Sequence, residues 1–576
     1  MIYPFQDSLP KLPLPSLDKT CESYLQMVAP LINEADFIRT KELVKDFQKN
    51  EGPELQQQLE KIATTTETSY IYELLNNKFL ENRLPLFNQN FGCVLISELT
   101  STNLLFAHFV ARWILTLLRF YLKIKQNEFA PNDEAIRRPF GIHQYLNLFG
   151  RVRTPCVDSD TLHQAQAPKH IVVIRHNVFY SLTLLNDDVL LTIEDIAQQI
   201  NWILEHTPTS EPALGALTTM NRDNWAILRS RLAAYDAKNN DSLEIVDNAL
   251  FVVCLDEIIP DDIETITKNA VYGDGRNRWF DKSLQLIFTP NNQLAFNIEH
   301  SGLDGYPTLR FFADANKYYQ QLDEKPVISG QAVVKSPVPL QWNLPEEILE
   351  TIQQAEENAE HLIAQHETRV LEFKEFGRTL IAQKQFHADA LVQLSLQLTY
   401  FRLYRKIASV YEPAYMGHFR YGRGEGIRPA TVESFQLMNA LTDENVPDSK
   451  RWQALKKAND THVSLLANVM NGTIGCDRYL FALHSLARQQ GIIPEIFRDK
   501  VYTEVFSQSI LSTTSLPNLP LDCFISFSPE VTDGYGIFYS IKPDRINFMI
   551  TSQQQQIDKF VDLLKLSLSE LVNLKP

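Results

Sequence analysis

The chain has 576 residues, a net charge of −16 and a hydrophobic fraction of 44%. That length exceeds one ordinary core, so two large domains are expected. The acidic balance excludes a general nucleic-acid binder, which carries a basic stripe. The cysteines, Cys21, Cys93, Cys156, Cys254, Cys476 and Cys523, are scattered without CxxC spacing. Neither a zinc site nor a disulfide framework is indicated, no metal is expected, and a reducing compartment fits. No apolar run reaches the ~18 residues of a membrane span. Phe106 to Leu122 comes nearest, and Arg112 and Arg119 interrupt it. The N-terminal stretch lacks a secretory or organellar leader pattern, and the C-terminal NLKP is no recognisable address. The chain reads as a soluble, cytoplasmic monomer.

In chain order, a Pro-punctuated arm leads to a helix starting near Ser16, and residues 35 to 82 read as further helices, closed by FLENRLPLFNQNFG (Phe79 to Gly92). Leu104 to Ile124 is a strongly apolar helix and a core candidate. Lys169 to Leu185 reads as a strand hairpin, Leu217 to Arg229 as a helix behind a Thr/Asn cap, and Ala249 to Asp256 as a short buried strand. NNQLAFNIEHSGLDGYPT, Asn291 to Thr308, begins with a turn signal, continues as an apolar strand, and ends in Glu299-His300 before a polar, Gly-containing turn. An imidazole at a strand end faces either a core or a cleft, and it is the side chain suited to moving a proton near neutral pH. A Pro-rich link, Lys335 to Asn343, precedes a long helix from Pro345 whose apolar positions Ile348, Ile352, Ala355, Ala359 and Leu362 keep helical spacing. The main domain boundary falls there.

Further on, Phe376 to Lys406 turns a strand into an amphipathic helix, with Arg378 and Lys384 just before it. They make either a solvated basic turn or a polyphosphate site beside a helix N-terminus. The GRGEG within Tyr411 to Thr431 lacks the Lys-Ser/Thr of a phosphate loop. Arg478 in GCDRYLFAL is either a surface charge or a fork for a carboxylate. Ser512, Thr513, Thr514 and Ser515 form a Ser/Thr cluster of a kind common at loops and strand edges. In Cys523 to Ser552, Asp533-Gly534 make a turn between strands.

These segments together resemble the carnitine/choline acyltransferase family, and the resemblance spans nearly the whole chain. EHSxxDG, preceded by NRWFDKSLQL (Asn277 to Leu286), is similar to the family's active-site signature. FGRVRTP, KHIVVIRHNVFY, the Phe376 segment, YEPAYMGHFRYGRGEGIRPAT, LSTTS and the DGYG segment match further family motifs. The resemblance implies two similar α/β domains with mixed sheets, like chloramphenicol acetyltransferase, with the active site at their interface. Residues 1–60 would be helices packing with the second domain, 61–343 the domain carrying the histidine, and 344–576 the domain carrying the CoA and acceptor segments.

The implied activity is reversible acyl transfer between acyl-CoA and the hydroxyl of carnitine. His300 would be the base and Thr514 the oxyanion donor, with Asp304 orienting the site through a charge contact. Arg378, Lys384 and Asp389 would bind CoA; Tyr411, Gly424, Arg478 and Ser512 would line the acceptor pocket. No cofactor is implied, CoA being a substrate. Three departures from the family pattern stand out. Its second lysine is Ala382 here, its pocket threonine is Gly424, and its second serine is Thr514. Gly424 keeps choline or another small alcohol open as acceptor. A long-chain carnitine acyltransferase and a non-catalytic CoA-ester scaffold are the other readings. Ile525 falls where the family guards its acyl tunnel; it shares a strand face with Phe527, so short acyl groups are expected. The competing reading makes both ordinary core residues.

Overall fold

The computed structural model describes residues 6–96, 104–129, 140–186, 189–209, 211–322, 336–474, 476–516, 521–553 and 555–576. Lys335 and Gly475, which belong to segments read above, lie outside them. Among the described residues no helix is long and apolar enough to cross a membrane.

The strands in chain order are β1 (Phe91–Leu95), β2 (Arg151–Thr154), β3 (Thr161–Gln164), β4 (His170–Arg175), β5 (Val178–Thr183), β6 (Leu185–Asn186), β7 (Val189–Leu190), β8 (Val252–Leu255), β9 (Leu284–Thr289), β10 (Gln293–Ile298), β11 (Val338–Pro339), β12 (His366–Phe373), β13 (Val410–Ala414), β14 (Glu425–Ile427), β15 (Leu511–Ser515), β16 (Cys523–Phe527), β17 (Tyr535–Ile541) and β18 (Ile546–Gln553). Two mixed sheets carry the fold. The first runs β11-β5-β4-β8-β9-β10-β1-β16, and the second β12-β18-β17-β15-β13-β14. In the first, β4, β8 and β9 are parallel neighbours. In the second, β13, β15 and β17 are. Two ribbons, β2-β3 and β6-β7, stand apart.

Several elements form where local sequence predicts them. Ser16 caps the helix Leu17–Val28 by accepting from the Lys19 amide, and Asn221 caps Arg222–Tyr235. Each relieves an amide left open at a helix start. The apolar helix Phe106–Lys125 is buried along most of its length in the core of the first sheet. The 169–185 hairpin is β4 paired antiparallel to β5. The helix after Pro345 spans Glu346–Gln365, with Ile348, Ile352, Ala355 and Ala359 as its buried stripe.

Four features differ from the sequence reading. The helix Ala388–Tyr404 is not amphipathic: every residue from Ala390 to Tyr400 is buried. It packs against the helices Val432–Thr442, Asp448–Met470 and Ile557–Asn573, so no face is left for water. A separate short helix, Arg378–Gln383, precedes it, so Arg378 opens that helix and Lys384 closes it. Asp533-Gly534 do form the turn expected between two strands, but those strands, β16 and β17, belong to different sheets, so the turn closes no hairpin. Lastly, β16, from the far side of the boundary near residue 343, is the edge strand of the first sheet, pairing antiparallel with β1.

The helices Leu17–Val28, Glu34–Lys49 and Glu51–Thr65 share a hydrophobic cluster with Tyr479, Leu483, Phe497 and Tyr502 from the second half.

Candidate active site

β10 ends at Ile298, and the next residues form a tight loop before the helix Gly305–Gln320. The buried Glu299 carboxylate pins that loop by accepting from the Ser301 amide (3.0 Å) and hydroxyl (2.6 Å). His300 projects between the rings of Phe79 (5.3 Å) and Phe91 (5.2 Å). Its Nδ1 lies 2.5 Å from the Leu303 carbonyl oxygen. A carbonyl only accepts, so Nδ1 carries the proton and the neutral ring keeps its lone pair on Nε2. Burial holds the imidazole below its ordinary value, against Asp304 and the Leu303 carbonyl, which favour the charged form.

Asp304 precedes the helix but makes no side-chain cap bond. Its carboxylate instead accepts from Arg423 Nε (2.9 Å), Gln144 Nε2 (2.9 Å) and the Gly424 amide (3.3 Å). Burial raises a carboxyl, yet Arg423 outweighs it and holds Asp304 down at about 2. Arg423 also donates to the Ser301 carbonyl (3.2 Å) and to Asn76 Oδ1 (2.5 Å). The charge partner that sequence left unidentified for Asp304 is therefore Arg423, in the GRGEG stretch. Its position beside Gly424 was the available signal.

Gly424 joins this loop to the candidate acceptor pocket. Its carbonyl accepts from Arg478 Nε (2.8 Å). Arg478 Nη2 donates to the Tyr411 hydroxyl (3.0 Å), and the Arg478 amide donates to Glu425 Oε1 (3.0 Å). Tyr411 and Ser512 are register partners in the parallel pair β13-β15. Ser512 and Thr514 alternate with Thr513 and so share one face of β15. Thr513 points the other way, donating to the Tyr411 carbonyl and accepting from Gln393. A Cβ added at Gly424 meets nothing nearer than Pro413 Cβ at 3.9 Å, so that position has open space. Glu425 and Asp477, both missed in the sequence reading, complete the pocket's charges. Burial and the nearby Asp477 push the Glu425 carboxyl up to about 8. Asp477, buried but beside Arg428 and Arg478, stays at about 2.

The three CoA candidates do not converge to the same degree. Arg378 Nη2 donates to the Ile541 carbonyl (2.7 Å), while Lys384 is exposed. Asp389 turns inward, accepting from Tyr539 (2.7 Å) and pairing with His462 Nε2 (3.0 Å). His462, Asp389 and the buried Glu412 have ligand atoms within 4.8 Å of one another, a grouping with metal-site dimensions that sequence spacing did not suggest. Burial and the neighbouring Asp389 raise Glu412 well above the carboxylate range. Close by, the Asn459 side chain accepts from the His387 amide (2.9 Å). The same helix, Asp448–Met470, borders a surface cavity of about 480 Å³ lined by Trp452, Lys456 and Lys457 among others.

Ile525 is buried in the first core opposite Cys93, and Phe527 packs against that core. The NRWFDKSLQL motif is a brace. Arg278 makes a two-pronged pair with Asp256 (2.7 and 2.8 Å), Asp281 accepts from Arg222 and Trp225, and Lys282 donates to the Asp247 carbonyl.

A histidine loop tied through the Asp304–Arg423 ion pair to a segment that meets the helix-borne Arg478 and the strand-borne Tyr411 suits transfer chemistry on two substrates. Comparison with known proteins gives the class. The profile of the Choline/Carnitine o-acyltransferase family matches residues 12–566, and the chain belongs to that family. It is 29% identical to carnitine O-acetyltransferase of Homo sapiens over 95% of this chain and 90% of that protein. It is 30% identical to the mitochondrial carnitine O-palmitoyltransferase 2 of Homo sapiens over 95% and 89%. The Xenopus tropicalis carnitine O-palmitoyltransferase 2 is 29% identical over 98% and 92%. Among solved structures, the trichothecene 15-O-acetyltransferase of Fusarium sporotrichioides aligns over 86% of this chain and 93% of that one, at a TM-score of 0.39 and 10% identity.

Proposed function

We propose that the protein transfers an acyl group reversibly between acyl-CoA and the hydroxyl of a small carboxylate-bearing alcohol such as carnitine, with His300 as general base. The observation that carries this reading is the 2.5 Å contact from His300 Nδ1 to the Leu303 carbonyl, which leaves Nε2 as the proton acceptor. The alcohol oxygen attacks the thioester carbonyl as its proton passes to Nε2. The tetrahedral intermediate then collapses, the C–S bond breaks, and the proton goes on to the CoA thiolate. Ester and free CoA leave, and no acyl-enzyme is formed. Thr514 donates to the developing oxyanion, a contribution of roughly 2.7–4 kcal/mol for one well-placed donor. General-base catalysis supplies about 10²- to 10⁴-fold, and joint binding of the two substrates the larger remainder.

Arg478 supports a carboxylate in the acceptor, because its guanidinium sits beside Tyr411 at the pocket wall. Arg378 and Lys384, with Lys456 and Lys457 at the neighbouring cavity, are the cations offered to the CoA phosphates. Asp389 takes part through the start of the helix Ala388–Tyr404. Similar identity to acetyl and palmitoyl relatives leaves chain length to the pocket, where Ile525 and Phe527 favour short acyl groups. The open space at Gly424 favours one other reading, an acceptor other than carnitine. A CoA-release assay with acetyl- and palmitoyl-CoA against carnitine and choline tests the proposal. Absence of acceptor-dependent CoA release with all four pairings would refute it for these substrates.

A further inference from the structure

Asp389, in the first turn of the helix Ala388–Tyr404, Glu412 on β13 and His462 on the helix Asp448–Met470 come together in the second half of the chain. Three separate elements supply them, so no ligand spacing marks them in the sequence. The fold brings their ligand atoms within 4.8 Å of one another. Asn459 Oδ1, accepting from the His387 amide at 2.9 Å, fixes the helix that carries His462 against the start of the helix that carries Asp389. Ser515 Oγ reaches Asp389 Oδ1 at 3.4 Å. Ser515 shares its face of β15 with Thr513, so the cluster lies on the side of the second sheet away from Ser512 and Thr514.

Each carboxylate gives one oxygen to the same phenol. The Tyr539 hydroxyl lies 2.7 Å from Asp389 Oδ1 and 3.3 Å from Glu412 Oε1, and it accepts from Gln393 Nε2 at 3.0 Å. The two remaining oxygens, Asp389 Oδ2 and Glu412 Oε2, face His462 Nε2 at 3.0 and 3.9 Å. One ring nitrogen carries one proton, which the nearer Asp389 takes. Among the described residues Glu412 Oε2 accepts no hydrogen bond, although its side chain is only 5% exposed. Enclosed carboxylates are costly unless they are hydrogen-bonded, paired or coordinating a metal. The 3.0 and 3.9 Å separations bracket the roughly 3.3 Å between two ligands of a tetrahedral zinc ion. Asp389, the most exposed of the three, leaves a route to solvent. One imidazole nitrogen with two carboxylate oxygens suits a first-row divalent cation, whereas magnesium and calcium take oxygen ligands.

We propose that Asp389 Oδ2, Glu412 Oε2 and His462 Nε2 bind a zinc-class divalent cation, with Tyr539 orienting both carboxylates from behind. Glu412 follows Tyr411 on β13, so the cation braces the strand whose tyrosine holds Arg478. The test is calorimetric titration of the full chain, free of any polyhistidine tag and stripped with chelator, with Zn²⁺ and separately with Mg²⁺. Wild type, Glu412→Gln and His462→Gln are compared, and the readout is independent of acyl transfer. The expected result is one equivalent of Zn²⁺ per wild-type chain, at least tenfold weaker binding in each variant, and no saturable Mg²⁺ binding at the same concentrations. Absence of saturable Zn²⁺ uptake by wild type overturns the proposal. So does unchanged affinity in the variants, which places the ion elsewhere on the surface. Should either enclosed variant fail to fold, Asp389→Asn is titrated in its place, with the same loss expected and unchanged affinity overturning the proposal. The visible spectrum of the Co²⁺-loaded wild type gives a reading that needs no variant. Bands of nitrogen and oxygen ligation without thiolate charge transfer uphold the site; a thiolate band, which puts the ion on a cysteine, or an unchanged aqueous Co²⁺ spectrum overturns it.

Discussion

Arg423 Nε donates to Asp304 Oδ2 at 2.9 Å, joining residues 119 apart in sequence. The bond ties the loop that carries His300 to the segment that carries Gly424, whose amide meets the same carboxylate oxygen. Arg423 is almost wholly enclosed, 2% exposed, so the pair acts where water screens little.

Removing one partner of this pair strands the other charge. Asp304→Ala is expected to lower stability by about 3–5 kcal/mol, the usual cost of breaking an enclosed ion pair. Arg423→Lys loses the fork and should recover only part of the activity. Urea unfolding of the three proteins measures the first effect, and a loss under about 1 kcal/mol for Asp304→Ala would show that water or another cation compensates.

His300→Ala should lower kcat by several orders of magnitude with the fold intact. Residual activity above ~10% of wild type would refute the base assignment. In wild type, kcat/KM should rise with pH and level off below the ordinary imidazole value of about 6.5, because burial lowers the His300 pKa and the neutral form is the active one. The sign for stability is the same. As pH falls, the unfolded chain binds this proton first, so stability is full above the unfolded value and declines as pH drops through the folded one. An acid limb centred above 6.5 would contradict the environment described for His300.

Arg478→Asn should raise the KM for carboxylate-bearing acceptors by tens-fold, since truncating a charged hydrogen-bonded partner costs about 2–5 kcal/mol. Choline turnover should be unchanged or improved, and wild type should favour carnitine over choline. Equal use of those two alcohols by wild type would sink the carboxylate argument. A Cβ at position 424 meets only ordinary contacts, and Gly424→Thr should lower the carnitine KM if a hydroxyl there meets the carboxylate.

Ile525→Gly should move the acyl optimum from acetyl towards octanoyl or longer. Each methylene received by a groove is worth roughly 0.8 kcal/mol. Ile525 is packed in the first core, so the variant also opens a cavity and should be less stable. Wild type that turns over palmitoyl-CoA faster than acetyl-CoA would show that Ile525 does not block the acyl path.

The sequence by itself determined the local elements and the chemistry they carry. It put His300 just past the end of a strand, the helix Phe106–Lys125 in a core, the 169–185 hairpin in a sheet, and Arg478 at the start of a helix. Those features follow from short-range periodicity, caps and turns, which a window of ten to twenty residues contains. Tertiary structure alone decided which distant groups meet. It paired Arg423 with Asp304, set Lys78 over Phe481, turned Asp389 to His462, and carried β16 across to the first sheet. It also enclosed the helix on every side from Ala390 to Tyr400, which its own pattern did not announce. The physical reason is one of range. Residue spacing fixes the face a side chain occupies, whereas the register and stacking of whole sheets and helices fix what that face meets.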